Sequence, residues 1–355
     1  MAATGDVESF VDLVCEGGGV KGIGLAGAYS VLDERGYKPQ NVAGTSAGAI
    51  TAALIAAGYS SSDLKEIIFN LDFRRFEDPD WEDRIPLIGK GLSVLIEEGI
   101  YKGDDFLTWM RDLLAAKGIH TFADLKTEWT DPKYSSRLQV IASDTTGRQL
   151  LMFPRDATQL GMNPDELDVA FAVRMSMSIP IFFKPVRVEN SETNREHLIV
   201  DGGMLSNFPV WLFDCEDEEV PDWPTFGMLL VEPDPKVPIG DRIPPPEHAP
   251  HGVRGLVDLI SSMIHTMMEA HDRLYLEQAS YARTIPIPTL GVHTTEFDIT
   301  RDRAQALYDS GRQAAETFLK TWDFQAYVEA FRTGKTHPRR DAITAAFQKA
   351  EAVSH

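Results

Sequence analysis

The sequence predicts an α/β fold in which a mostly parallel central sheet is sandwiched by helices. Three observations at its start lead there. Phe10 to Cys15 is a strand-like run of the kind that both-face burial in a parallel sheet demands. After a glycine-rich loop, Leu25, Ala28, Tyr29 and Leu32 repeat at helical spacing, stopped near Gly36 and Pro39. A second short run, Asn41 to Ala43, enters a sharp Gly-Thr-Ser-Ala-Gly turn and leaves it as an apolar helix, Ala47 to Ala57. A strand-loop-helix-strand-turn-helix unit implies a right-handed crossover and parallel strands. Ligands on such sheets sit beyond the strands' carboxyl ends, where both loops fall.

Ser60-Ser61-Ser62 caps a short helix through Phe69. Residues 71–103 mix charge, aromatics, Pro and Gly with poor periodicity, and their apolar segment, Leu87 to Ile96, is placed to pack or to cover a cleft. Asp104 to Lys117 reads as a helix. Leu138 to Ser143 and Gln149 to Phe153 read as strands about the turn Asp144-Thr145-Thr146-Gly147. Glu166 to Met177 reads as a helix stopped by Pro180. Val186 to Val188 and His197 to Val200 suggest a hairpin, and Phe226 to Val231 a buried strand. A proline-rich loop, Pro233 to Pro250, then precedes a long helix, Gly252 to Ala282, and an amphipathic helix, Arg301 to Trp322. No internal repeat or clean linker divides the chain. One domain over 9–322 is expected, with a polar C-terminal extension over 323–355, helical or partly disordered.

Composition narrows the function classes. With 43% hydrophobic and 25% charged residues the chain is globular. The 54 acidic against 34 basic residues give a formal charge of −20, which argues against nucleic acid and against electrostatic capture by an anionic membrane. Any peripheral membrane contact is expected to be apolar and local. Cys15 and Cys215 make no disulfide framework, and no cysteine–histidine cluster has metal-ligand spacing. No secretory signal and no apolar run of membrane-spanning length is visible, so a cytoplasmic location is expected. No metal or cofactor is expected.

Three stretches carry candidate chemistry. The first is the turn at Gly44-Thr45-Ser46-Ala47-Gly48, a Gly-x-Ser-x-Gly apex that holds a nucleophilic hydroxyl clear of a sheet. Alone it is weak, because glycine and serine abundances produce the pattern in about one chain in ten of this length. A capping serine at a helix start is the plain alternative.

The second stretch, Glu16 to Gly22, admits two readings. Gly17, Gly19 and Gly22 satisfy the dinucleotide fingerprint G-x-G-x-x-G. That fingerprint wants a carboxylate closing the second strand, where Ala43-Gly44-Thr45-Ser46 has none. Alternatively, successive glycines Gly17, Gly18 and Gly19 bare their N–H groups as an oxyanion hole. Lys21 anchors that loop, adds positive potential, or forms a surface ion pair.

The third stretch is Asp201-Gly202-Gly203 at the end of an apolar strand. A carboxylate there, partly desolvated, is able to take a serine proton directly. A plain turn is the commoner origin of Asp-Gly-Gly. A histidine base is the usual partner of a serine, and His293 is the one candidate set among turn residues near a strand end.

In order and spacing, Glu16–Gly22, Gly44–Gly48 and Asp201–Gly203 resemble the patatin-like phospholipases. Gly99 to Asp104, Asp144 to Gly147, Ser176 to Pro185 and Asn207-Phe208-Pro209 look like that family too. The resemblance covers roughly Leu13 to Leu230. It implies a three-layer fold and lipid acyl hydrolysis by a Ser–Asp dyad without histidine. Ser46 is then the nucleophile, Asp201 the base, and Gly17, Gly18 and Gly19 the oxyanion donors, with Lys21, Gly22, Gly44, Gly48, Gly202 and Gly203 supporting the motifs. Glu16 stands where the family often has Asp, and Lys21 where it often has Arg. Two other readings remain: a Ser-His-Asp hydrolase using His293, and a lipid- or nucleotide-binding module without turnover.

Overall fold

The computed structural model describes residues 9–71, 103–129, 131, 133–180, 182–215, 220–231, 278–294, 296 and 298–332. The apolar segment Leu87 to Ile96, the proline-rich loop Pro233 to Pro250, most of the long helix expected over Gly252 to Ala282, and the tail beyond 332 lie outside the described residues.

The elements run β1 (Ser9–Cys15), α1 (Ile23–Glu34), β2 (Tyr37–Thr45), α2 (Ala47–Ala56), α3 (Ser61–Phe69), α4 (Asp104–Ala115), β3 (Leu138–Asp144), β4 (Gln149–Phe153) and α5 (Val169–Ser176). They continue with β5 (Val186–Asn190), β6 (Arg195–Asp201), β7 (Thr225–Val231), α6 (Gln278–Ala282), β8 (Thr284–Pro288), α7 (Arg301–Leu319) and α8 (Phe324–Phe331). The eight strands form one mixed sheet. Its centre, β3-β2-β1-β7-β8, is parallel, as the crossover argument predicts, while β4, β5 and β6 join antiparallel.

The register at β3 positions everything that follows. Strand β4 covers Val140 to Asp144 along one edge of β3. The other edge is therefore shared: β2 pairs with it up to Thr45 opposite Ile141, and β6 takes over with Asp201 opposite Ala142. Because β2 is parallel and β6 antiparallel to β3, their carboxyl ends converge head-on at one point. A Cβ on Gly202 would lie 2.3 Å from the Ile141 carbonyl oxygen, so the chain passes that junction only as glycine.

Sheet residues alternate between two cores. Leu13, Cys15 and Val42 join the larger one, with α1, α2 and α5. Val14, Ala43 and Ile141 face a smaller one closed by Phe208, Val210, Leu212 and Phe213. Helix α2 is buried along its whole length, which its Ala-, Ile- and Leu-rich sequence permits. Helix α7 packs on α1 at backbone contact: a Cβ on Gly311 would sit 1.9 Å from the Gly24 carbonyl oxygen, and one on Gly27 2.0 Å from that of Tyr308.

Several boundaries differ from the sequence reading. Strand β2 begins at Tyr37 rather than Asn41, pairing with β1 where β3 has not yet joined, so Pro39 removes no donor from a two-sided ladder. Helix α5 starts at Val169 because the Asp168 side chain accepts from the Phe171 N–H and caps it. Beyond Asp323 the chain forms α8, again capped by an aspartate. Strand β8 was not expected. Its Pro286 and Pro288 argue against a strand, yet it lies at the sheet's edge, where proline is tolerated, and it buries Ile285 and Ile287 fully.

Candidate active site

Ser46 sits between β2 and α2 at φ 53° and ψ −128°, a region non-glycine residues rarely adopt. Holding it there costs on the order of 1–3 kcal/mol, which the surrounding packing must supply. The flanking glycines make the bend possible. A Cβ on Gly44 would lie 2.3 Å from the Gly48 carbonyl oxygen, and a Cβ on Gly48 2.3 Å from that of Cys15. The turn is closed by the Ala49 N–H donating to the Ser46 carbonyl at 2.8 Å, and the Ser46 N–H donates to Ser176 Oγ at 2.8 Å.

The head-on meeting of β2 and β6 brings Asp201 to Ser46. Both are fully buried. Asp201 Oδ1 accepts from the Gly203 N–H at 2.8 Å, which accounts for the Asp-Gly-Gly turn, and the Asp201 N–H donates to the Ser178 carbonyl at 2.9 Å. Burial pushes the Asp201 carboxyl up to about 7, against smaller opposing effects of the neighbouring Ser46 hydroxyl and the Gly203 N–H. Ser46 is thus close enough to stabilise the carboxylate, yet neither Ser46 Oγ nor Asp201 Oδ2 completes a hydrogen bond. Hydrogen bonds between reacting groups are often long or poorly aligned when no substrate is bound.

The glycine-rich loop lies against this pair. A Cβ on Gly17 would be 3.0 Å from Ser46 Cβ, and one on Gly22 3.5 Å from Ala47 Cβ. The Gly17 N–H donates to the Asn207 carbonyl at 3.1 Å, so it is engaged in holding the loop. Gly18 precedes and Gly19 opens a 3₁₀ turn over Gly19–Gly22, and their N–H groups have no partner among the described residues. Gly19 has φ +54°, and a Cβ there would strike the Thr294 carbonyl oxygen at 2.1 Å. The same carbonyl accepts from the Val20 N–H.

Glu16 secures the loop from below. Its carboxylate accepts from Asn207 Nδ2 at 3.2 Å and from the Leu230 N–H, while Asn207 Nδ2 also donates to the Gly17 carbonyl at 2.9 Å. Lys21 donates its backbone N–H to the Gly18 carbonyl. No local pattern assigns a bonding role to Asn207, Thr294 or Ser176. Asn207 and Ser176 do fall in stretches that look like the family, but a lone Asn or Ser there reads as a turn or helix end.

His293 does not join the group. It is exposed and its backbone N–H donates to Glu296, whereas Ser46 and Asp201 are buried. Of the described histidines, His197 is buried but spent on Asp144, with Nδ1 2.8 Å from Oδ2.

The three motif stretches of the sequence thus meet around one buried hydroxyl. Residues 13–214, more than half of the chain, match the family model of the patatin-like phospholipases. The chain belongs to that family. Among its relatives, the uncharacterized protein YqhO of Bacillus subtilis is 37% identical over 315 residues, spanning 89% of this chain and the whole of that protein. A probable lipid hydrolase, 463L of invertebrate iridescent virus 6, is 24% identical over 56% of this chain and 61% of its own length. Among solved structures, VipD from Legionella pneumophila superposes with a TM-score of 0.54 at 18% identity, covering 88% of this chain and 67% of VipD. That likeness speaks to the patatin fold. Family membership supports a lipid hydrolase activity. Among the described residues no helix is long and apolar enough to cross a membrane.

Proposed function

We propose that this patatin-like chain is a lipid acyl hydrolase that cleaves carboxylic esters of phospholipids or related acyl lipids through a Ser46–Asp201 dyad. The observation that carries the reading is the juxtaposition of two fully buried side chains, Ser46 and Asp201, in which Ser46 Oγ and Asp201 Oδ2 have no hydrogen-bond partner among the described residues.

Asp201 takes the Ser46 proton as Oγ attacks the ester carbonyl carbon. The carbonyl oxygen becomes an oxyanion facing the Gly18 and Gly19 N–H groups, two donors rather than three because Gly17 is occupied. The C–O bond to the alcohol breaks, and the leaving oxygen collects the proton from Asp201. Water then gives a proton to Asp201 and its hydroxyl to the acyl carbon. Ser46 recovers the proton as the carboxylic acid departs. A base with its pKa near 7 suits these transfers at neutral pH, since it gives the proton back as readily as it takes it. The net charge of −20 favours local apolar contact with a lipid surface over electrostatic attraction.

Assay of Ser46→Ala on p-nitrophenyl fatty esters and phospholipid vesicles tests the reading: activity is expected to vanish, and full turnover would refute the dyad. A fluorophosphonate that leaves Ser46 unlabelled in folded protein would favour a binding module instead.

A further inference from the structure

We infer that Ser176 is a positioning residue that holds the Ser46 turn in its reactive shape, an inference that rests on the proposed function. The end of α5 touches both members of the candidate dyad. Ser176 Oγ accepts the Ser46 N–H at 2.8 Å, and two residues on the Ser178 carbonyl accepts the Asp201 N–H at 2.9 Å. The three-residue stretch Ser176–Ser178 is therefore the common support from which nucleophile and base both hang, although they come from different strands.

The Ser46 N–H needs such a partner. Ser46 is the residue before α2, so its N–H lies outside the helix ladder, and its positive φ turns it away from the β2 pairing. Burial denies it water, and a buried donor left unmade is costly. Ser176 is itself completely buried. The support is rigidly seated as well: Arg174 Nη1 donates to Ser178 Oγ at 2.6 Å and Nη2 to the Lys184 carbonyl at 2.8 Å. Gly103 packs so closely on that guanidinium that a Cβ would lie 1.8 Å from Nε. Removing the Ser176 hydroxyl leaves this frame in place and frees only the turn it holds.

The test compares Ser176→Ala, Ser176→Thr and Ser46→Ala as full-length proteins on p-nitrophenyl esters. Readouts are kcat per site titrated with a fluorophosphonate, KM, the rate constant of labelling, and the melting temperature. Misplacing a reacting atom by about 1 Å costs on the order of a hundredfold, so Ser176→Ala is expected to lose about tenfold to a hundredfold in kcat per titrated site. Labelling should slow in proportion, with KM little changed and the melting temperature lowered only by the few degrees that one unmade buried hydrogen bond costs. Ser176→Thr, which keeps the acceptor, should recover most of the rate. A merely structural hydroxyl would lower the melting temperature and the number of titratable sites but not kcat per site, and that pattern overturns the inference. So does a folded Thr variant as slow as Ala. If Ser46→Ala stays active, the proposed function itself fails; if it is inert while Ser176→Ala turns over normally, only the positioning role fails.

Discussion

Substituting Asp201 by Asn should abolish activity and yet make the protein more stable at neutral pH. In the folded chain burial raises the Asp201 carboxyl from an ordinary 3.8 to about 7. Below pH 3.8 folded and unfolded chains are both protonated there, and the group's contribution to stability is fully present. Between the two values the unfolded chain is ionised and the folded one is not, so stability falls by about 1.4 kcal/mol per pH unit. Over about three units the loss approaches 4 kcal/mol, and it is complete above pH 7. Asparagine carries no such penalty. It keeps an oxygen for the Gly203 N–H, and its amide faces the Ser46 hydroxyl that now lacks a bond. Asp12, also raised to about 7 by burial, is common to both proteins and cancels. Urea unfolding of wild type and Asp201→Asn from pH 4 to pH 8 measures the difference. It should grow by about 2–4 kcal/mol in favour of Asn and then level off. A difference that stays flat with pH, or that favours wild type at pH 8, would refute the assigned environment of Asp201.

Three further outcomes are expected. The acidic limb of the kcat/KM profile should rise with pH and level off above about 7, since only ionised Asp201 accepts a proton; stopped esterase assays across buffers check it. Gly48→Ala should yield little folded protein, because its methyl group would sit 2.3 Å from one backbone carbonyl oxygen and 2.4 Å from another; soluble yield and circular dichroism decide this. His293→Ala should retain esterase activity within about threefold, because substitution of an exposed side chain is usually near-neutral, whereas a histidine-dependent hydrolase would lose nearly all of it.

The features most legible in the sequence were those where chemistry is forced locally. Gly44 and Gly48 are required by contacts within a few residues or with the adjoining strand end, so the turn announces itself. The parallel centre of the sheet followed from the first two strands and the helix between them. Less legible was anything decided by a distant partner. Strand β8 hides behind two prolines that only its edge position excuses. The Gly17 N–H looks like a third oxyanion donor until the Asn207 carbonyl is seen to hold it. Glu16 anchors the loop through Leu230 and Asn207, partners that no pattern near Glu16 advertises. Ser176 is one hydroxyl at a helix end, and nothing local separates it from Ser178.

The converging ends of β2 and β6 also bear on how such a site tolerates change. Distance between nucleophile and base is written in a hydrogen-bond ladder on β3, not in the length of chain that separates them. Insertions or deletions in intervening loops can therefore accumulate without moving the reacting atoms. A slip of β6 by a single rung would do the reverse, turning Asp201 to the other side of the sheet while leaving every residue of the motif in place.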